Sequence, residues 1–154
     1  MNAVIFTGML AVSLVACGSE PTTSLDAAGV VQTLAKQGMP VTLTVTFDQS
    51  SDPEKLLGRA NGYSSKASFT DQRVDTSKVS GAKQGDVNLG GTVEVFGSAG
   101  EAEVRAAQLK ELSKKPPALG EYNYVKGPVV VRVSKELMPG EALEYEGALG
   151  KIVK

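Results

Sequence analysis

The sequence predicts a two-layer α+β domain, a mixed or antiparallel sheet of three to five strands with helices on one face. Three observations predict it. Apolar residues recur at helical spacing near the start, middle and end of the chain, runs of alternating apolar and polar residues lie between them, and Gly, Pro and Asn fall at the joints. A ferredoxin-like arrangement is the leading candidate within that class. At 154 residues, 42% hydrophobic and 21% charged, the chain has the composition of one globular domain.

Ser24 is placed to cap a first helix in which Ala27, Val30, Val31 and Leu34 repeat at helical spacing until Gly38 and Pro40 stop it. From Val41 to Phe47 apolar and hydroxyl residues alternate without a break, which predicts a half-buried strand with Val45 on the buried face and Thr44 on the other. The segment from Asp48 to Gly62 carries local structure, with Asp52 as a cap, Pro53 at a first helical position and Gly58 as a stop. Asn61-Gly62 is a turn signal before a strand from Tyr63 to Thr70 that sets Ala67 and Phe69 on one face. Thr76 to Gly85 has no period and reads as loop. Gly91 to Phe96 restarts the sheet, with Gly90-Gly91 as a bulge at its start.

Ser98 and Glu101 match a capping box, and Ala102, Ala106, Leu109 and Leu112 continue as an apolar stripe until Lys114-Lys115-Pro116-Pro117. Tyr122 to Ser134 is strand-like, with Gly127-Pro128 marking a bulge, an edge or a tight turn. Pro139 opens a last helix that places Ala142, Tyr145, Leu149 and Ile152 on one face. Because Thr92 through Val133 reads strand, helix, strand, a right-handed crossover between parallel neighbours is the expected connection there.

The formal net charge is -1 with the signs interspersed, so the chain lacks the basic face that nucleic acid requires. With no His and a single Cys, at position 17, the usual ligands of zinc, copper and iron are missing; only an oxygen-ligand site for calcium or magnesium stays open, and no cofactor is implied. Trp is absent and aromatics make up 5%, which leaves few stacking platforms for sugars or bases. Without His, a Ser nucleophile would need a Lys, and the neighbours in Ser65-Lys66 and in Ser134-Lys135 point to opposite faces of a strand. Asp48, Asp52 and Asp71 could approach one another for acid-base work or calcium, but no calcium-loop pattern is matched, and cap, turn and surface roles account for all three. Arg59, Tyr63, Lys66 and Arg73 then form the candidate binding patch, beside the reading of the same residues as solvated charges in local ion pairs. On either reading Arg59 and Lys66 are expected to be tolerated by the fold.

Ala3 to Ala16 is uncharged, shorter than the roughly 20 apolar residues of a membrane-spanning helix and the right size for the apolar part of an export signal. It ends in Leu14-Val15-Ala16-Cys17, which resembles the lipobox of bacterial lipoproteins. The resemblance implies a signal peptide over residues 1–16, cleaved before Cys17, and a lipid on the Cys17 sulfur. Residues 17–24 would then be the lipidated Cys and a short polar tether, and 25–154 the single domain. Met1-Asn2 carries no Lys or Arg, unlike an ordinary signal, which leaves room for a start further upstream.

At Asp52-Pro53, Leu56-Leu57-Gly58-Arg59, Gly62-Tyr63-Ser64-Ser65-Lys66 and Phe69-Thr70-Asp71, and again at Gly91 to Phe96, Glu121-Tyr122 and Tyr145-Glu146, the sequence resembles a group of small actinobacterial surface lipoproteins. That resemblance covers most of the chain after Cys17, implies a lipid-anchored envelope protein of hosts or their prophages, and carries over no catalytic residues. The leading expectation is a non-enzymatic binding or interaction module on the outer face of the cytoplasmic membrane, with an envelope or phage protein as partner. A prophage-type superinfection-exclusion lipoprotein is the second. An envelope hydrolase or transferase is the third, and its catalytic group would have to come from the Asp, Ser and Lys residues above.

Overall fold

The computed structural model describes residues 19–115 and 120–154. The signal-peptide and Cys17 assignments and the Pro116-Pro117 stop lie outside the described residues. Along the chain run α1 (Ala27–Lys36), β1 (Val41–Thr46), β2 (Ser65–Asp71), β3 (Gly90–Val95), α2 (Ala99–Ser113), β4 (Glu121–Lys126), β5 (Val129–Ser134) and α3 (Pro139–Ile152), with 3-10 turns at Thr76–Val79 and Val87–Leu89. The five strands form one antiparallel sheet in the order β1-β2-β3-β5-β4. This is the expected α+β class.

The ferredoxin-like order of elements is not followed, because three strands are consecutive here and the sheet starts from a hairpin. The expected crossover is also corrected. β3 and β4 do run parallel, each being antiparallel to β5, but they are not neighbours. Gly127-Pro128 is a two-residue turn, with Gly127 at φ 50°, and it folds β5 back into the space between them.

Period-2 alternation in the sheet separates two environments. One face carries Ala67 and Phe69, Val93 and Val95, and Val129, Val131 and Val133, and packs against Ala27, Val30, Val31 and Leu34 of α1 and Ala142, Tyr145 and Leu149 of α3. Phe69 stacks on Tyr145 at 5.5 Å between centroids. The expected helical layer over one face is thus made by α1 and α3. α2 lies on the other face, where Ala102 and Leu109 join Leu57, Tyr63, Phe96 and Val130. Its buried stripe is Ala102, Arg105 and Leu109, while Leu112 of the expected stripe is exposed.

One cap and one strand depart from expectation. Asp26, not Ser24, caps α1, its carboxylate accepting from the Gly29 amide at 2.7 Å. Ser98 caps α2 as expected. In β1 the register slips between Leu43 and Val45, so Val45 sits opposite Ser68 rather than Ala67. A bulge of this kind turns every later side chain to the opposite face, which is why Val45 is only half-buried and does not join the main core.

Candidate functional site

The face of the sheet beneath α2 is polar at its centre. Lys66 and Ser68 of β2, Thr92 and Glu94 of β3, Val130 and Arg132 of β5, and Glu121 and Asn123 of β4 all point to it, and cross-strand register sets Lys66 opposite Glu94 and Thr92 opposite Arg132. Arg105 of α2 and the loop residues Asp52, Glu54 and Tyr63 close over these side chains.

Every charged group in this layer has an oppositely charged partner. Lys66, 2% exposed, donates to Glu54 at 2.6 Å, to Asp52 at 3.2 Å and to the Tyr63 hydroxyl at 3.2 Å, which uses all three of its ammonium hydrogens. Its charge also lies 5.3 and 5.1 Å from the Phe47 and Tyr63 ring centroids. Glu94, fully buried, accepts from Arg105 Nε at 2.8 Å and Nη2 at 3.0 Å, and from Arg132 Nη1 at 3.1 Å. Glu54 accepts from Arg105 at 2.6 Å and Arg132 at 2.9 Å as well as from Lys66. Arg132 grips Glu121 with Nε and Nη2 at 2.8 and 3.0 Å, the two-pronged geometry that guanidinium offers a carboxylate. The carboxylates of Asp52, Glu54, Glu94 and Glu121 thus face the cations of Lys66, Arg105 and Arg132.

Electrostatics in the layer follow from these partners. Burial alone would raise the Asp52 carboxyl, but the Tyr63 hydroxyl, the Leu57 and Leu56 amides and the Lys66 charge hold it down at about 2. Burial likewise opposes ionisation of Glu54, and the Arg132 and Lys66 charges, with hydrogen bonds from Lys66 and Arg105, hold it at about 2. Tyr63 is pushed far up by burial, by its hydrogen bond to Asp52 and by the surrounding carboxylates. Its hydroxyl therefore stays a donor. The folded-state values of Asp52 and Glu54 lie below the ordinary 3.8 and 4.5, so their stabilisation is complete above about pH 4.5 and is lost as pH falls toward 2. Melting temperature measured from pH 6 down to pH 2 should be flat at first and fall steeply below about pH 4.5. A flat profile across the whole range would show that the layer does not support the fold.

Beside this network a cleft of about 450 Å³ opens between the sheet, the segment around Glu54 and the loop from Lys83 to Val87. Two serines tie that loop across the same face, Ser68 Oγ donating to Gly85 O at 2.8 Å and Ser134 Oγ to Asn88 O at 2.9 Å. Between them Thr92 lines the cleft floor. Thr92 is 1% exposed, and its Oγ1 has no hydrogen-bond partner among the described residues.

Of the sequence-predicted patch, Tyr63 and Lys66 come together, but in the buried layer rather than on a solvated surface. Lys66 is thereby corrected from a tolerated surface charge to a buried cation with three partners. Arg73 belongs to a separate clasp at the far end of β2. There it pairs with Asp71 through Nε at 3.0 Å and Nη2 at 2.7 Å and with Glu144 at 2.7 Å, while the Tyr145 hydroxyl donates to Asp71 at 2.6 Å. Arg59 is exposed and apart from both. The three aspartates are not gathered either. Asp48 accepts from Ser50 and Ser51 in its own turn, Asp52 is held by Tyr63 and Lys66, and Asp71 is in the clasp. Ser65 Oγ accepts from the Ala27 amide at 2.9 Å, away from Lys66, and Ser134 Oγ is bound to Asn88.

Sequence reasoning missed Glu54, Thr92, Glu94, Arg105 and Arg132. A signal existed for two of them, since Glu94 and Arg132 are lone charges of opposite sign inside valine-rich strands. Among the described residues no group of three or more Asp, Glu, Cys or His is placed to hold a metal ion. No protein-family model, curated protein or solved structure matches the chain.

Proposed function

We propose that the chain is a lipid-anchored envelope protein whose domain works as a non-enzymatic binding module on the outer face of the cytoplasmic membrane, with the cleft over Thr92 as its ligand site. The observation that carries the binding part is the Thr92 hydroxyl, buried at the cleft floor and without a partner among the described residues. A buried hydroxyl left unpaired costs about 1–3 kcal/mol, and a small polar solute entering the cleft would relieve that by pairing with it. The cleft's size lies within the range of small-molecule sites. The anchor part rests on Leu14-Val15-Ala16-Cys17.

Binding is favoured over catalysis by the charge pattern beside the cleft. A general acid or base works best with a pKa near the working pH. Asp52 and Glu54 are held far below neutrality and Tyr63 far above, so these groups are tuned to stay paired rather than to move protons.

One set of preparations tests both parts. Cys17→Ser should shift the protein from the membrane fraction to the soluble or unprocessed pool, since a hydroxyl cannot carry the thioether-linked lipid. Melting of the wild type against a panel of amino acids, sugars and sugar phosphates should show one class raising the transition, and Thr92→Val should abolish that rise. Membrane retention of a cleaved Cys17→Ser chain removes the anchor; no shift with any class in the panel removes the small-solute site.

A further inference from the structure

The segment leading into the domain is fixed to it at one place. Thr22 N donates to Lys154 O at 2.8 Å and Lys154 N to Thr22 O at 3.2 Å, a reciprocal pair that zips the first described residues to the last. Beside it the Pro21 carbonyl lies against Gly127 in the β4–β5 turn, where a Cβ would overlap it and where φ 50° also calls for glycine. Of the residues assigned to the tether, Pro21 and Thr22 are therefore held to the domain through their backbone, with both residues exposed. Everything before Pro21 leaves from this end, which also carries the start of α1, the end of α3 and the exposed Lys126, Lys151 and Lys154.

We infer that this end is a membrane-facing surface, held on the headgroups of the bilayer that carries the Cys17 lipid; the inference rests on the lipid-anchor reading above. Four peptide steps separate Cys17 from Pro21, and fully extended they reach about 14 Å. A folded chain of this length has a radius of gyration of about 14 Å and so measures roughly 36 Å across. Turning the opposite end to the bilayer would need a tether more than twice as long as the one available. Lys126, Lys151 and Lys154 around the exit complement anionic headgroups. Acidic groups at this end have partners of their own: Asp26 caps α1, Glu101 lies with the Ser98 hydroxyl at the start of α2, and Asp48 accepts from Ser50 and Ser51, while Glu20 is in the tether itself.

The same geometry sets the outlook of the cleft. Its walls come from Phe47 and Glu54 near the tethered end and from Lys83 and Asp86 near the other, so its mouth lies on the flank. It opens along the bilayer plane and is not closed by it.

Cys17 is the only cysteine, and its sulfur is consumed by the lipid, so an introduced cysteine is the one free thiol for a probe. The full chain is produced in bacteria as Lys126→Cys or Ser80→Cys, both exposed positions, labelled with bimane, and reconstituted into phosphatidylglycerol vesicles doped with a headgroup-nitroxide lipid. Quenching should be several-fold stronger at position 126 than at position 80. Equal quenching, or stronger quenching at 80, overturns the orientation and leaves the anchor standing. Mass spectrometry of the unsubstituted protein reads the anchor separately: a Cys17 without a diacylglyceryl group overturns the lipid-anchor reading and this inference with it.

Discussion

Lys66→Ala is expected to destabilise the domain by about 3–5 kcal/mol, a large part of the roughly 5–15 kcal/mol that holds a typical domain folded, whereas Arg59→Ala should stay within about 0.5 kcal/mol. Lys66 is the cation shared by Asp52 and Glu54, and Glu94 lies 4.0 Å away. Four carboxylates already face three cations in this layer, so losing one leaves them facing two inside a site that excludes most water. Lys66→Met separates charge from packing, because a thioether stem still fills the space beside the Phe47 and Tyr63 rings. Urea denaturation of the three variants decides the matter. If Lys66→Met keeps the wild-type midpoint while Lys66→Ala loses it, the stem and not the ammonium group supports the fold.

Gly91→Ala should destabilise the domain by about 3 kcal/mol, the upper end of what overpacking usually costs. A Cβ there would come closer than 3.0 Å to the Arg132 carbonyl oxygen and to the Phe69 ring. Neither has room to retreat. Arg132 belongs to β5, which is paired with β3 on one side and β4 on the other, and Phe69 is stacked on Tyr145. Gly81→Ala is the matched control, since nothing lies within 4 Å of the added carbon. It should be neutral or gain up to about 1 kcal/mol by restricting the unfolded chain. Similar denaturation midpoints for the two variants would mean that β3 and β5 do not pair in this register.

The elements themselves were legible because each has its own period. Ala27, Val30, Val31 and Leu34 mark α1 and are all buried, and Ala142, Tyr145 and Leu149 do the same for α3. Relations between elements were not legible, since period-2 alternation says which residues share a face within one strand but not which strand lies beside it. Lys66, Glu94 and Arg132 each alternate with valine, alanine or phenylalanine, and only the order β2-β3-β5 brings their charges into one layer. The side of the sheet taken by α2 was hidden for a similar reason. Its covered face carries Arg105, and an apolar period along the helix points to Ala106 and Leu112 instead. The bulge in β1 left no mark in the sequence, because Thr44 continues the alternation that the backbone then breaks.

That bulge bears on how copies of the domain meet one another at high concentration. An edge strand is a template on which a neighbouring chain can add itself, and β1 is the edge beside the hairpin. Here the template is interrupted. The pairing register breaks after Leu43, the Thr44 hydroxyl turns inward to Ser68 O at 3.1 Å, and the Thr44 carbonyl already accepts from Gln84 Nε2 at 3.3 Å. An incoming strand would find a run of regular backbone only from Val41 to Leu43 before meeting a carbonyl in use and a change of pitch. Sheet extension is thus obstructed at this edge by one irregular residue, with most of the remaining unpaired backbone of the sheet on β4.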